Sequence, residues 1–182
     1  MIASIVRAAG VEKPMEIREM TAADVDAVLA IYAEGIATGH ATFEAEPPDW
    51  AGFDTKRLKR PRLVAEIGGE IVGWAAASGV SDRCVYGGVA EGTVYVRATA
   101  RGRGVGEALL TAFIQAAEAE GIWTLNAGVF VENAASIRLH EKCGYRRVGV
   151  RHRLGKMGYG PKAGEWRDVA LMEYRSEKIG VD

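Results

Sequence analysis

The stretch Glu91-Gly92-Thr93-Val94-Tyr95-Val96, followed by Arg101-Gly102-Arg103-Gly104-Val105-Gly106, decides the fold class. Val94, Tyr95 and Val96 favour a strand. From about Gly104 to Glu120 the apolar positions recur at helical spacing, and Gly121 ends the run. Strand, glycine-rich turn and helix in that order make an anion site. The glycines let the backbone approach a ligand closely, and the first helical turn offers unpaired N–H groups and a positive dipole end. Arg101 and Arg103 add charge where a diphosphate would sit. The plainer reading of this segment alone is a strand-to-helix turn with two solvated arginines. Two better-known phosphate loops are excluded: a dinucleotide fingerprint needs a glycine where this chain has Glu107, and a Walker A loop needs Gly-Lys-Ser/Thr, which does not occur.

Working outward, Glu16 to Met20 reads as a strand, and Thr21 with Asp24 three residues on opens a helix to about Ile36 in the manner of a capping box. A loop with Pro47 and Pro48 precedes a short helix over Trp50 to Leu58. Strands are expected at Arg62 to Ile67 and Glu70 to Ala77, joined at Gly68-Gly69. Ser78 to Val89 is glycine-rich and irregular, and the strand Thr93 to Val96 follows it. Downstream come a strand over Ile122 to Val131, a helix from Asn133 to Lys142, and strands over Tyr145 to Leu154 and Val169 to Arg175. This order predicts an α/β fold, a mixed sheet with helices on both faces.

The chain has 182 residues, enough for one domain with its own core. Its net charge is −1, from 23 basic and 24 acidic residues, with the basic ones dispersed apart from a short group over Lys56 to Arg62, so neither nucleic acid nor a membrane surface is expected as a partner. Cys84 and Cys143 lie far apart with no histidine or second cysteine at metal spacing, which reads as reduced thiols in a cytoplasmic protein and no metal site. Residues 1–14 carry a short apolar stretch before Arg7, the reverse of a signal peptide, and form a leader of unknown role; residues 15–176 are read as the single domain and 177–182 as a tail.

The pattern Arg101-Gly102-Arg103-Gly104-Val105-Gly106 after a strand resembles the coenzyme A pyrophosphate loop of the GNAT superfamily of N-acetyltransferases. The block Asn133-Ala134-Ala135-Ser136-Ile137-Arg138-Leu139-His140-Glu141-Lys142-Cys143-Gly144-Tyr145 is similar to the superfamily's second block, a helix ending in Gly-Phe/Tyr. Ala41-Thr42-Phe43-Glu44, Ala90 to Val96, Asn133 to His140 and Trp166-Arg167-Asp168-Val169 narrow the resemblance to the phosphinothricin and methionine sulfoximine acetyltransferases, over Met15 to Tyr174.

The resemblance implies acetyl-CoA as donor and a GNAT fold whose sheet splays between two central strands, here Thr93 to Val96 and Trp123 to Phe130. The backbone of Val94, Tyr95 and Val96 would pair with the pantetheine arm. Arg101, Gly102, Arg103, Gly104, Val105 and Gly106 would hold the diphosphate, with Glu107 on the same turn, and Asn133 and Ser136 would meet the cofactor arm, Asn133 having helix capping as its alternative role. Because an amino group is mostly protonated at neutral pH, transfer needs a proton acceptor, and Glu91 holds the family position of the general base. His140 has three readings: protonating the departing thiolate, assisting Glu91, or packing. A small amino-acid-like acceptor bearing a phosphinate or sulfoximine would be met by Phe43, Arg83, Val85, Tyr86 and Glu91, with a solvated loop arginine as the plain reading of Arg83. A homodimer and a role in herbicide or antibiotic resistance are implied as well. Ser78 to Tyr86 lacks aromatic residues often present in the relatives, and Gly155 to Glu165 differs from their shorter hairpin. Two other functions fit the same loop: acetylation of a protein N-terminus or lysine, and a non-catalytic acyl-CoA sensor. An acceptor mouth closed by the Phe43 and Tyr159 loops favours the small acceptor, and an open groove favours a protein.

Overall fold

A computed structural model describes residues 4–6 and 14–181. In chain order the elements are β1 (Ser4–Val6), β2 (Met15–Glu19), α1 (Val25–Ala37), α2 (Trp50–Lys56), β3 (Arg62–Ile67), β4 (Glu70–Gly79), β5 (Val89–Val96), α3 (Val105–Ala119), β6 (Thr124–Phe130), α4 (Ala134–Lys142), β7 (Arg146–Lys156) and β8 (Trp166–Arg175). The strands form one eight-stranded sheet in the order β1-β2-β3-β4-β5-β6-β8-β7. Every neighbouring pair is antiparallel except β5 and β6, which run parallel across the helix α3.

The strand β4 shows why helices must cover both faces. Its run Ile71 to Ala77 is apolar at every position, so alternation along the strand turns apolar groups to each side. Trp74 and Ala76 join Val28, Ile31 and Tyr32 of α1 and Phe53 of α2 in one buried cluster. Ala75 and Ala77 join Leu109, Leu110 and Phe113 of α3 in another. Each fully buried Leu or Phe contributes on the order of 2 kcal/mol to holding these layers together.

Two elements begin earlier than side-chain pattern suggests. Ser4–Val6 pairs antiparallel with Met15–Ile17 and adds an edge strand within the leader, of which residues 1–3 and 7–13 lie outside the described residues. The strand β5 starts at Val89 rather than Thr93, so Glu91 sits inside it, opposite Ser78 on one side and Asn126 on the other. Ladder hydrogen bonds need no side-chain periodicity, which is why a glycine-rich approach can hide a strand.

At the entry to α1 the Thr21 N–H and hydroxyl donate to the Asp24 carboxylate at 2.7 and 2.9 Å, through a short turn of 3-10 helix. Arg18 grips the same buried carboxylate with both terminal nitrogens, at 2.9 and 2.8 Å. Above all the Arg18 hydrogen bonds hold the Asp24 carboxyl below its ordinary value of 3.8. Asp24→Asn should therefore destabilise the fold by about 2 kcal/mol in denaturant titrations at neutral pH. With the folded-state value depressed, this stabilisation is present above pH 3.8 and is lost as the pH falls through the lower folded-state value. The gap between wild type and variant should close in that acid range.

Candidate active site

The parallel pairing of β5 with β6 is confined to Val89–Thr124, Ala90–Leu125 and Glu91–Asn126. Beyond Glu91, β5 continues to Val96 along β4 and β6 continues to Phe130 along β8, so the sheet opens into a V with Glu91 near its vertex. Among the described residues no strand pairs with the β6-facing edge of Gly92 to Val96. That leaves a row of backbone donors and acceptors facing the gap. A cleft of about 1210 Å³ fills the opening, from the turn before α3 to the loop after α1.

On the α3 side, a 3-10 turn over Ala98–Ala100 leads to Gly102 and Gly104 at φ of +72° and +78°, and α3 starts directly after Gly104. The Ala108 N–H is the first to bond back, to the Gly104 carbonyl at 3.1 Å, so the N–H groups of Val105, Gly106 and Glu107 have no partner within the helix. Arg101, Gly102, Gly104, Val105, Gly106 and Glu107 line the cleft; Arg103 is exposed outside it. The Glu107 carboxylate is taken up by Lys142 at 2.6 Å, tying α3 to α4.

Asn133 caps α4 by accepting from the Ser136 N–H at 3.2 Å and donates its amide to the His40 carbonyl at 3.1 Å. Both capping and cleft lining hold for this residue. His140 is buried, edge-on to Tyr145 at 4.9 Å, with Nδ1 2.8 Å from the Ser136 carbonyl. A carbonyl oxygen can only accept, so Nδ1 carries the proton and Nε2 the lone pair. Burial lowers the His140 pKa below its ordinary 6.5. The imidazole is thus neutral near pH 7 and accepts a proton at Nε2 rather than giving one. The unfolded chain takes up that proton first, so stability falls as the pH drops through 6.5. His140→Gln should flatten this part of the profile in thermal melts from about pH 7.5 to about pH 5.5.

Across the vertex, Glu91, Thr93 and Tyr95 point to the α1 and α2 side of β5. The exposed Glu91 carboxylate reaches toward β6, with Oε1 3.9 Å from where a Cβ on Gly128 would stand; the missing side chain keeps that space open. The loop after α1 crosses to the far arm and is fastened there. Phe43 packs edge-on against Phe130 at 4.8 Å, and the Tyr159 hydroxyl donates to the Thr42 carbonyl at 3.0 Å. Arg167, only 1% exposed, lies 4.0 Å from the Phe130 ring and donates to the Gly39 carbonyl at 3.1 Å. The two loops therefore meet over the Glu91 side of the cleft.

Glu91, Phe43, Val94, Tyr95, Val96, Asn133, Ser136 and His140 thus share one cleft. Arg83, Val85 and Tyr86 do not line it. They occupy an exposed turn around Cys84–Tyr86, with the Arg83 guanidinium 5.5 Å from the Tyr86 ring. Sequence reasoning passed over Arg57 and Arg151, both of which line the cleft. Arg57 lay within the short basic group, and its one signal was its spacing four residues after Phe53. Among the described residues no group of three or more His, Cys, Asp or Glu could hold a metal ion, and no helix is long and apolar enough to cross a membrane.

Residues 28–145 match the acetyltransferase (GNAT) family profile. A phosphinothricin N-acetyltransferase of Streptomyces viridochromogenes is 37% identical over 88% of this chain and 87% of its own. An L-methionine sulfoximine/L-methionine sulfone acetyltransferase of Pseudomonas aeruginosa is 35% identical over 86% and 92%. Among solved structures, a GNAT superfamily phosphinothricin acetyltransferase from Sinorhizobium meliloti in complex with AcCoA superimposes with a TM-score of 0.75 at 29% identity, over 91% of this chain and 95% of that one.

Proposed function

The chain belongs to the acetyltransferase (GNAT) family, and from that premise we propose that it transfers the acetyl group of acetyl-CoA to the amine of a small amino-acid-like acceptor, of the phosphinothricin or methionine sulfoximine type, with Glu91 as general base. The observation that carries this reading is the end of β5–β6 pairing at Glu91, whose carboxylate enters the open V beside Gly128. The small acceptor is supported by the Tyr159 to Thr42 hydrogen bond and the Phe43 to Phe130 contact, which close the loops over that side.

The residues present fit the donor. The unpaired edge of Gly92 to Val96 would take its extended arm as an added strand, and the free N–H groups of Val105 to Glu107, with Arg101, would take its diphosphate. Bound there, acetyl-CoA supplies an activated acetyl thioester. Glu91 removes a proton from the acceptor ammonium, directly or through a water, so that the nitrogen lone pair becomes available. Backbone N–H groups of β5 facing the gap stabilise negative charge developing on the acetyl oxygen. His140, neutral with its lone pair on Nε2, is a proton acceptor on the α4 side and orders Ser136 through Nδ1. A homodimer belongs to this reading and is supported by β7, an edge strand exposed along its length with Val148 and Leu154 uncovered.

The test is free-thiol release from acetyl-CoA against phosphinothricin, methionine sulfoximine, methionine sulfone, the common amino acids and a peptide panel. Turnover concentrated on the glutamate-like analogues is the expected result. Preference for peptides would overturn the small-acceptor reading, and tight acetyl-CoA binding without turnover of any amine would favour a sensor.

A further inference from the structure

Within the basic group from Lys56 to Arg62, Lys56, Lys59, Arg60 and Arg62 each meet a carboxylate, those of Glu44, Asp54, Glu19 and Asp54 respectively. Arg57 meets none among the described residues. Its guanidinium carbon instead stands 5.3 Å from the Phe53 ring and 5.6 Å from the Trp74 ring, in the corner made by two rings that meet edge-on at 75°. One terminal nitrogen donates to the Thr93 hydroxyl at 2.7 Å. Among the described residues the other N–H groups have no protein acceptor, on a side chain that lines the cleft. A guanidinium has five donors in a rigid fork, so holding one of them on Thr93 and its carbon beside two mutually perpendicular rings restricts the direction of the rest.

Resting on the acetyl-transfer reading above, we infer that Arg57 is the residue that recognises an anionic group at the far end of the acceptor from its amine. Thr93 is two residues from Glu91 on the same face of β5, so their Cα atoms are about 7 Å apart. An acceptor whose amine meets Glu91 and whose acid meets Arg57 must therefore separate the two groups by several bonds. A γ-acidic α-amino acid has that span. Burial is the largest influence on Arg57 and acts against its charge, with Glu91 among the groups that offset it. A half-buried cation with unfilled donors is most stable when an anion arrives. The two rings explain why the cation stays in place without one: Phe53 and Trp74 supply cation–π contact, and Thr93 takes one donor of the fork.

The test compares three acceptors with full-length enzyme: phosphinothricin, norleucine, which keeps the α-amino acid but lacks the distal acid, and 3-aminopropyl(methyl)phosphinic acid, which keeps the distal acid but lacks the α-carboxylate. In Arg57→Met the wild-type preference in kcat/KM for phosphinothricin over norleucine should fall about 30-fold, mainly through KM, with the KM for acetyl-CoA unmoved. Arg57→Lys should retain part of the preference. Thr93→Val, which frees the fork without removing it, should lose a smaller part through KM. A uniform loss on all three acceptors, or an unchanged preference, would overturn the assignment. Should the wild type acetylate none of the three, the acceptor reading falls separately. Calorimetric binding of the aminopropyl phosphinate to the CoA-loaded protein then decides for Arg57: binding weakened in Arg57→Met supports it, and equal or absent binding overturns it.

Discussion

Glu91→Gln is expected to lower kcat by about 10²- to 10³-fold on a glutamate-like acceptor while leaving the affinity for acetyl-CoA within about twofold of wild type. The substitution is nearly isosteric, and among the described residues the Glu91 side chain makes no hydrogen bond or ion pair, so the backbone ladder to Ser78 and Asn126 should survive it. On the proposed mechanism, what it removes is the proton acceptor at the vertex of the V. An amide cannot take the ammonium proton, so reaction would proceed only through the small fraction of acceptor already neutral. Raising the pH should then recover part of the lost rate in the variant, since the neutral fraction grows about tenfold per pH unit below the amine pKa. Single-turnover kinetics across pH, with acetyl-CoA binding measured alongside, would separate the effects. A variant with near wild-type kcat would remove Glu91 from the base role, and a variant that lost acetyl-CoA binding would mean that the carboxylate shapes the cleft instead.

How far the site was legible in the sequence depends on which force builds each part. The turn before α3 was readable because glycine at positive φ and an arginine beside a helix start leave marks in the residues themselves: Gly102 and Gly104 take positive φ, and with Arg101 they line the cleft. The split between β5 and β6 was not readable from periodicity. Val94 and Val96 carry the same alternating pattern whether or not a neighbour pairs with them, and the opening came only from resemblance. Glu91 was read as a residue before a strand; pairing through Val89 and Ala90 puts it inside one, where its direction is fixed.

Arg57 and Arg83 show how charge read along the chain differs from its place in the fold. Arg83 looked useful because it precedes Glu91 closely, yet its turn points into solvent, with Val85 61% exposed beside it. Arg57 looked like one member of a solvated group, and its surroundings are set by Thr93, 36 residues later, and by Trp74 on a neighbouring strand. Such contacts are a product of the sheet order and have no local signature. The same holds for Arg167, whose burial under the loop after α1 turns a charged residue into the fastening of the cleft's roof.

Gly104 sets the course of the backbone into α3. It stands at φ +78° immediately before α3, a left-handed conformation that costs an L-residue on the order of 1–2 kcal/mol and a β-branched one more. Gly104→Val would relieve that strain by rotating the peptide planes on either side. One of those planes carries the Val105 N–H, the first of the three donors at the helix start that have no partner within the helix. Because a diphosphate is held by several such donors acting together, misdirecting one disturbs the register of the rest. The KM for acetyl-CoA should rise at least about 30-fold, with kcat at saturation changed much less and Tm lowered by only a few degrees. Arg103→Ala, a loss of charge on the exposed side of the same turn, should weaken the cofactor by less than about fivefold and do so mainly at low salt. If Gly104→Val kept its acetyl-CoA affinity while losing stability, the left-handed glycine would serve only to start α3, and the diphosphate would have to be held elsewhere along the cleft.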